Sequence, residues 1–292
     1  MLEKWLKSLF LCCKTQGFRA LTLGAVCTAS WLALPQQASA QSAAPLALPP
    51  VSVSAKANRN PVEKSYRRML RGMDLFEQNA SIRAPGAELR FKLLPRKRST
   101  RMQDIKMTVI GDKDLEFAVP IAADGTFALP RNALAVAEDA QVIPNRPAGS
   151  MTWRAEVRSP GLPPGERRLG DLRLECRVGM EAGLTSSGAT LMGRLVGSVL
   201  YTPAFCDRKI PEYLFFADRA LFSVTLSAGN RQEILPIHML YAGASENPQL
   251  GAELPDCDCE ALVDRTYFLP LGDLSWPDDT RVRFEFMEGG AP

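Results

Sequence analysis

The chain has 292 residues, 46% of them hydrophobic, and a formal charge of +3. Four of its 35 bases and one of its 32 acids fall in residues 1–40, so the remainder holds 31 of each and is neutral. The basic excess therefore belongs to residues 1–40 and says nothing about nucleic acid, which is not expected as a partner. The 22 prolines and 21 glycines, with 8% aromatics, suit a turn-rich β fold rather than a helical bundle.

Residues 1–40 have the layout of a secretory signal peptide. Lys4, Lys7, Lys14 and Arg19 stand against one acid, Glu3, ahead of an apolar run over residues 20–34. Pro35 breaks the run, and Ala38-Ser39-Ala40 offers the small side chains that a signal peptidase accepts, placing cleavage between Ala40 and Gln41. The run is about 15 residues long, against the roughly 20 that a spanning helix needs. The expectation is an exported protein, periplasmic first and secreted second, that is not an integral membrane protein after cleavage.

Residues 41–59 are rich in Ala, Ser and Pro and read as a flexible arm, because so few large side chains cannot offset the entropy of ordering. Within the arm, Leu48-Pro49-Pro50-Val51-Ser52-Val53-Ser54-Ala55 resembles the box near the mature N-terminus of TonB-dependent outer-membrane receptors. In that family the resemblance implies strand addition to a periplasmic energy-coupling protein. The match covers eight residues, and the chain is too short for a receptor barrel and plug.

Residues 60–78 read as a basic amphipathic helix. Asn60 can cap it, Pro61 suits its first turn, and Glu63 completes a capping box. Val62, Tyr66, Met69, Leu70, Met73 and Phe76 share one side, while Lys64, Arg67, Arg68 and Arg71 share another. Those four cations are the candidate surface-binding residues, for an anionic component of the envelope.

From residue 88 the period becomes two. Leu89, Phe91 and Leu93 alternate with polar residues, as do Leu115, Phe117 and Val119. Asp124-Gly125 marks a turn before Thr126-Phe127. Met151, Trp153, Ala155 and Val157 form a third alternating set, and Leu172, Leu174, Cys176 and Val178 a fourth. Each reads as an antiparallel strand with one wet face. Residues 119–127 resemble the D-G-x-F turn of transthyretin-like and carboxypeptidase-regulatory-like sandwiches, which implies a sandwich fold and nothing about activity. A Gly, Ser and Thr-rich stretch over residues 179–190 marks a boundary, giving modules at 79–182 and 183–292. Beyond it Phe222, Val224 and Leu226 alternate, residues 234–240 read as an apolar strand, and Val282, Phe284 and Phe286 alternate again. Leu-Gly-Asp-Leu occurs at both 169–172 and 271–274, a faint sign of two related modules.

Seven cysteines become four once the leader is removed: Cys176, Cys206, Cys257 and Cys259. An even count in an oxidising compartment points to disulfides. Cys257 and Cys259 lie too close to pair without strain, which favours Cys206 bonded to one of them and Cys176 to the other. A zinc reading of the cluster at residues 256–260 needs two further soft ligands, and the single histidine, His238, lies in an apolar stretch. No cofactor motif is present, and neither is a G-x-S-x-G elbow. The carboxylate pairs Asp278-Asp279 and Asp256/Asp258 are the remaining acid–base candidates, both in turn-rich contexts.

The fold expected is therefore mostly β: an antiparallel β-sandwich, immunoglobulin-like or transthyretin-like, in one or two modules behind a short N-terminal amphipathic helix. The function expected is non-enzymatic binding or assembly in the cell envelope, with an envelope protein or an anionic envelope component as partner. A sandwich-fold hydrolase and a glycan or membrane-surface binder are the alternatives.

Overall fold

The computed structural model describes residues 62–184, 202–209, 213–241 and 261–288. The leader, the cleavage site at Ala40 and Gln41, the arm, Asn60, Pro61, Cys257, Cys259 and the acidic cluster around them lie outside the described residues.

The described chain is mostly β, in several antiparallel sheets with few helices. It begins with β1 (Lys64–Ser65), α1 (Tyr66–Arg83), β2 (Glu88–Pro95), β3 (Met107–Ile110), β4 (Glu116–Val119) and β5 (Thr126–Phe127). Next come α2 (Ala133–Ala137), β6 (Gln141–Pro144), β7 (Met151–Arg158), β8 (Glu166–Arg168) and α3 (Leu169–Glu181). The last part holds β9 (Phe215–Phe216), β10 (Leu221–Ala228), β11 (Arg231–Ile234), β12 (Thr266–Tyr267) and β13 (Arg281–Phe286). Strand orders are β1-β6-β3-β4, β5-β2-β7, β11-β10-β13-β8 and β12-β9. β8 pairs with β13 across more than a hundred residues of sequence, Val282 opposite Arg167.

Two apolar cores result. The first draws Phe91, Val109, Phe127 and Trp153 from two sheets and Tyr66 and Met69 from α1. The second gathers Val224, Leu226, Tyr267, Val282 and Phe284. Each fully buried large side chain contributes about 1.5–3 kcal/mol of transfer free energy.

α3 is shared between the cores, and here the alternating pattern misleads: residues 172–178 form a helix, not a strand. Leu169, Leu172, Cys176 and Met180 point into the second core, while Leu174 and Val178 point into the first. Two residues along a helix turn the side chain by about 200°, so a helix buried on opposite faces is apolar at every second position. The same period arises in a strand for a different geometric reason.

α1 also starts later than its sequence signals imply. Val62 N–H donates to the Arg146 carbonyl, and Lys64–Ser65 pair with β6, so sheet pairing claims this backbone. Ser65 Oγ then accepts from Arg68 N–H as the N-cap. Gly72 lets α1 lie directly on α3, since an added Cβ would sit 2.8 Å from that of Ala182. Residues 234–240 are likewise no continuous strand: β11 ends at Ile234 and Ile237–Met239 form a 3-10 turn. The two Leu-Gly-Asp-Leu stretches differ as well, one opening α3 and the other lying in a turn.

Among the described residues, no helix is long and apolar enough to cross a membrane.

Candidate functional site: a cleft beside the outer edge of β7

A cleft of about 790 Å³ opens where the first core's strands meet the segment carrying β9. One wall is the end of β2 with Ile105, Ile121 and the turn at residues 122–125. The other is residues 213–218, with Leu262 and Arg265. Its floor comprises Arg154, Ala155 and Glu156 of β7, Arg167 of β8 and Glu175 of α3.

β7 is the last strand of its sheet, so half of its backbone groups face away from β2. At Val157 two side chains stand in for the missing neighbour. Val157 N–H donates to Glu175 Oε2 at 3.0 Å, and the Val157 carbonyl accepts from Arg167 at 2.6 Å. Arg167 and Glu175 also bond each other at 2.6 Å, with side chains 7% and 10% exposed. One turn earlier on α3, Asp171 performs a similar task, accepting from Ser159 N–H and Ser159 Oγ, both at 2.8 Å. The buried charges are thus paired and tied to backbone, the condition under which burial of ions is tolerated.

Burial pushes the Glu175 carboxyl above its ordinary range, with the Arg167 charge and hydrogen bond pulling it back. Burial alone would lower the Arg167 guanidinium, but Glu175 more than offsets this and Arg167 stays firmly charged. Tyr213, buried beside them, is pushed up to about 12 by desolvation, with Arg154 opposing. The Arg154 guanidinium faces the rings of Tyr213 and Phe216, 5.9 and 5.3 Å from their centroids. Behind them Phe215 stacks on Tyr267 at 5.3 Å, and Tyr267 meets Phe284 edge-on at 5.1 Å, anchoring this wall in the second core. The rim is polar: Lys92 Nζ donates to the Asp124 carbonyl, Arg158 grips Asp218 through both carboxylate oxygens, and Arg265 donates to the Asp218 carbonyl.

The candidates from sequence lie elsewhere. Arg67, Arg68 and Arg71 are exposed on α1, but Arg67 bonds the Val136 carbonyl, Arg71 pairs with Glu181 at 2.9 Å, and Arg68 lies against Gly183. Lys64 sits 5.9 Å over the Trp153 ring. Cys176 is bonded to Cys206, thirty residues away, which corrects the expectation that Cys206 pairs with the C-x-C cysteines. Both are buried where α3 meets the 3-10 turn Pro203–Asp207, so packing rather than spacing chooses the partner. His238 is exposed on its turn and does not line the cleft. Asp278 is held by Arg173 at 2.6 Å and by Arg83.

No protein-family model, curated protein or solved structure matches the chain.

Proposed function

We propose that this is an exported, non-enzymatic binding or assembly protein of the cell envelope, and that its partner enters the cleft beside Arg154 and Phe216. The cleft carries this reading. Its volume of about 790 Å³ lies within the roughly 300–1,000 Å³ of ligand sites, and a few polar groups converge on apolar and aromatic walls. Export and a periplasmic location rest on the order of charge, apolar run and A-x-A in residues 1–40. Two cores built from antiparallel sheets favour sandwich modules of the immunoglobulin-like or transthyretin-like kind.

A hydrolase fits the cleft less well. Arg167 and Glu175 are occupied by each other and by β7, and Tyr213 stays protonated at neutral pH, so none of these three buried groups is a ready base or an activated nucleophile. An anionic envelope component could instead meet Arg67, Arg68 and Arg71, which share an exposed helix, although Arg67 and Arg71 already hold partners.

The test is a cleft-filling substitution. Ala123 is exposed in the cleft wall and belongs to neither core, so Ala123→Trp places an indole there without replacing a core side chain. Envelope material that co-purifies with the wild type is lost with Ala123→Trp and kept with Asn230→Trp in the far hairpin. Equal recovery from both variants would refute the cleft as the binding site.

A further inference from the structure

We infer that the cleft takes an extended polypeptide segment of a partner, which adds as a strand along residues 214–216. This deepens the binding reading above and rests on it.

The first observation is the direction of backbone groups. β9 is paired on one side only, with β12, Phe215 opposite Tyr267. Ala217 N–H donates to the Arg265 carbonyl at 2.8 Å, which makes 217 and 215 the residues hydrogen-bonded towards β12. In an antiparallel ladder the intervening residues point the other way. Leu214 and Phe216 therefore direct N–H and C=O away from β12, and both are half-buried and line the cleft. Among the described residues no backbone hydrogen bond reaches them. A strand edge whose N–H and C=O groups open into a cleft is a ready template for pairing with another chain.

The second observation is the opposite side. β7 ends its own sheet, and Val157 points outward there, its groups taken by Glu175 and Arg167. Ala155, two residues earlier, has the same orientation and lines the cleft. The ion pair closes this edge at one end, and the opening begins beside it. The cleft is thus flanked by two strand edges.

The third observation selects the chemistry. Two N–H and C=O sets, two residues apart on one strand edge, match the repeat of a peptide backbone. Leu93, Pro95, Ile105 and Ile121 offer an apolar wall to alternate side chains of such a strand, and the rim carries both Lys92 and Asp218. The occupant is accordingly a peptide segment with apolar residues at every second position.

The experiment uses the mature chain and a displayed library of random dodecapeptides. Enriched peptides are resynthesised with each backbone amide N-methylated in turn. Strand addition predicts affinity losses of about tenfold or more at alternate amides and roughly threefold or less between them. Phe216→Pro removes one ladder donor and abolishes binding, and the peptide scan keeps the claim testable if that variant does not fold. Losses without a period of two, or no enriched peptide, would overturn strand addition. In that case an unchanged effect of Ala123→Trp on envelope co-purification shows that the cleft still binds and that only its ligand class was misassigned. A photo-reactive residue at Leu214 that crosslinks to residues 41–59 of the same chain would overturn the assignment to a partner.

Discussion

Removing Glu175 tests whether the cleft floor is the coupled unit that its geometry describes. Glu175→Ala strips the partner from the Arg167 guanidinium, on a side chain that is 7% exposed, and leaves Val157 N–H without an acceptor. Breaking a buried pair from one side costs about 3–5 kcal/mol, which includes the orphaned donor. For a chain of this size each kcal/mol corresponds to roughly 2–4 °C in Tm, so the variant melts about 6–20 °C lower. Replacing both residues by apolar ones, Arg167→Met with Glu175→Leu, removes the stranded charge and recovers a large part of that loss, since apolar substitution of a buried pair is often neutral. Differential scanning calorimetry of the wild type, both single variants and the double variant measures the cycle. A single-variant loss below about 1 kcal/mol, or a double variant with the full sum of the two single losses, would refute the coupling.

Three further outcomes follow from other parts of the fold. The Cys176–Cys206 bond closes a loop of separation 30, worth roughly 3–4 kcal/mol by chain entropy, so Cys206→Ser lowers Tm measurably and reductant has little further effect on it. Gly170→Ala drives a Cβ into the Arg83 carbonyl and against Asp278, where α3 starts beneath the end of α1; a loss of about 1–3 kcal/mol or more in urea titration is expected, and a neutral result refutes that packing. Asp124 accepts from Thr126 N–H and Thr126 Oγ1; burial pushes its carboxyl up, but these bonds with Lys92 and Arg90 outweigh it and hold the carboxyl below its ordinary value. Its stabilising contribution is present above the unfolded value near about 4 and is lost as pH falls through the folded one, so Asp124→Asn flattens the acid limb of stability measured between about pH 5 and 2.

Much of the sheet structure was legible from alternation alone. Leu89, Phe91 and Leu93 fall in β2, Trp153 and Val157 in β7, Val224 and Leu226 in β10, and Val282 and Phe284 in β13, because each has one face on a core. The alternation at residues 172–178 was equally clear and had another cause, a helix with a core on either side. Short strands such as β8, β9 and β12 hold two or three residues each, too few for a period to show. The disulfide partner of Cys206 depends on where α3 lies, which local spacing does not carry.

The cleft was not legible at all. Glu175 reads as a wet-face residue when residues 172–178 are taken for a strand, and Arg167 as one of two adjacent arginines. Their meeting requires β8 to pair with a strand from the far end of the chain and α3 to pack against β7.

The central claim is that the cleft beside β7 and β9 is where the partner binds. A photo-reactive amino acid placed at Ala122, exposed in the cleft wall, and another at Asn230, exposed in the β10–β11 hairpin, test it most directly in the intact chain within its own envelope. The cleft reading predicts a discrete adduct from position 122 and none from position 230. Adducts from position 230 alone, or identical patterns from both, would contradict it.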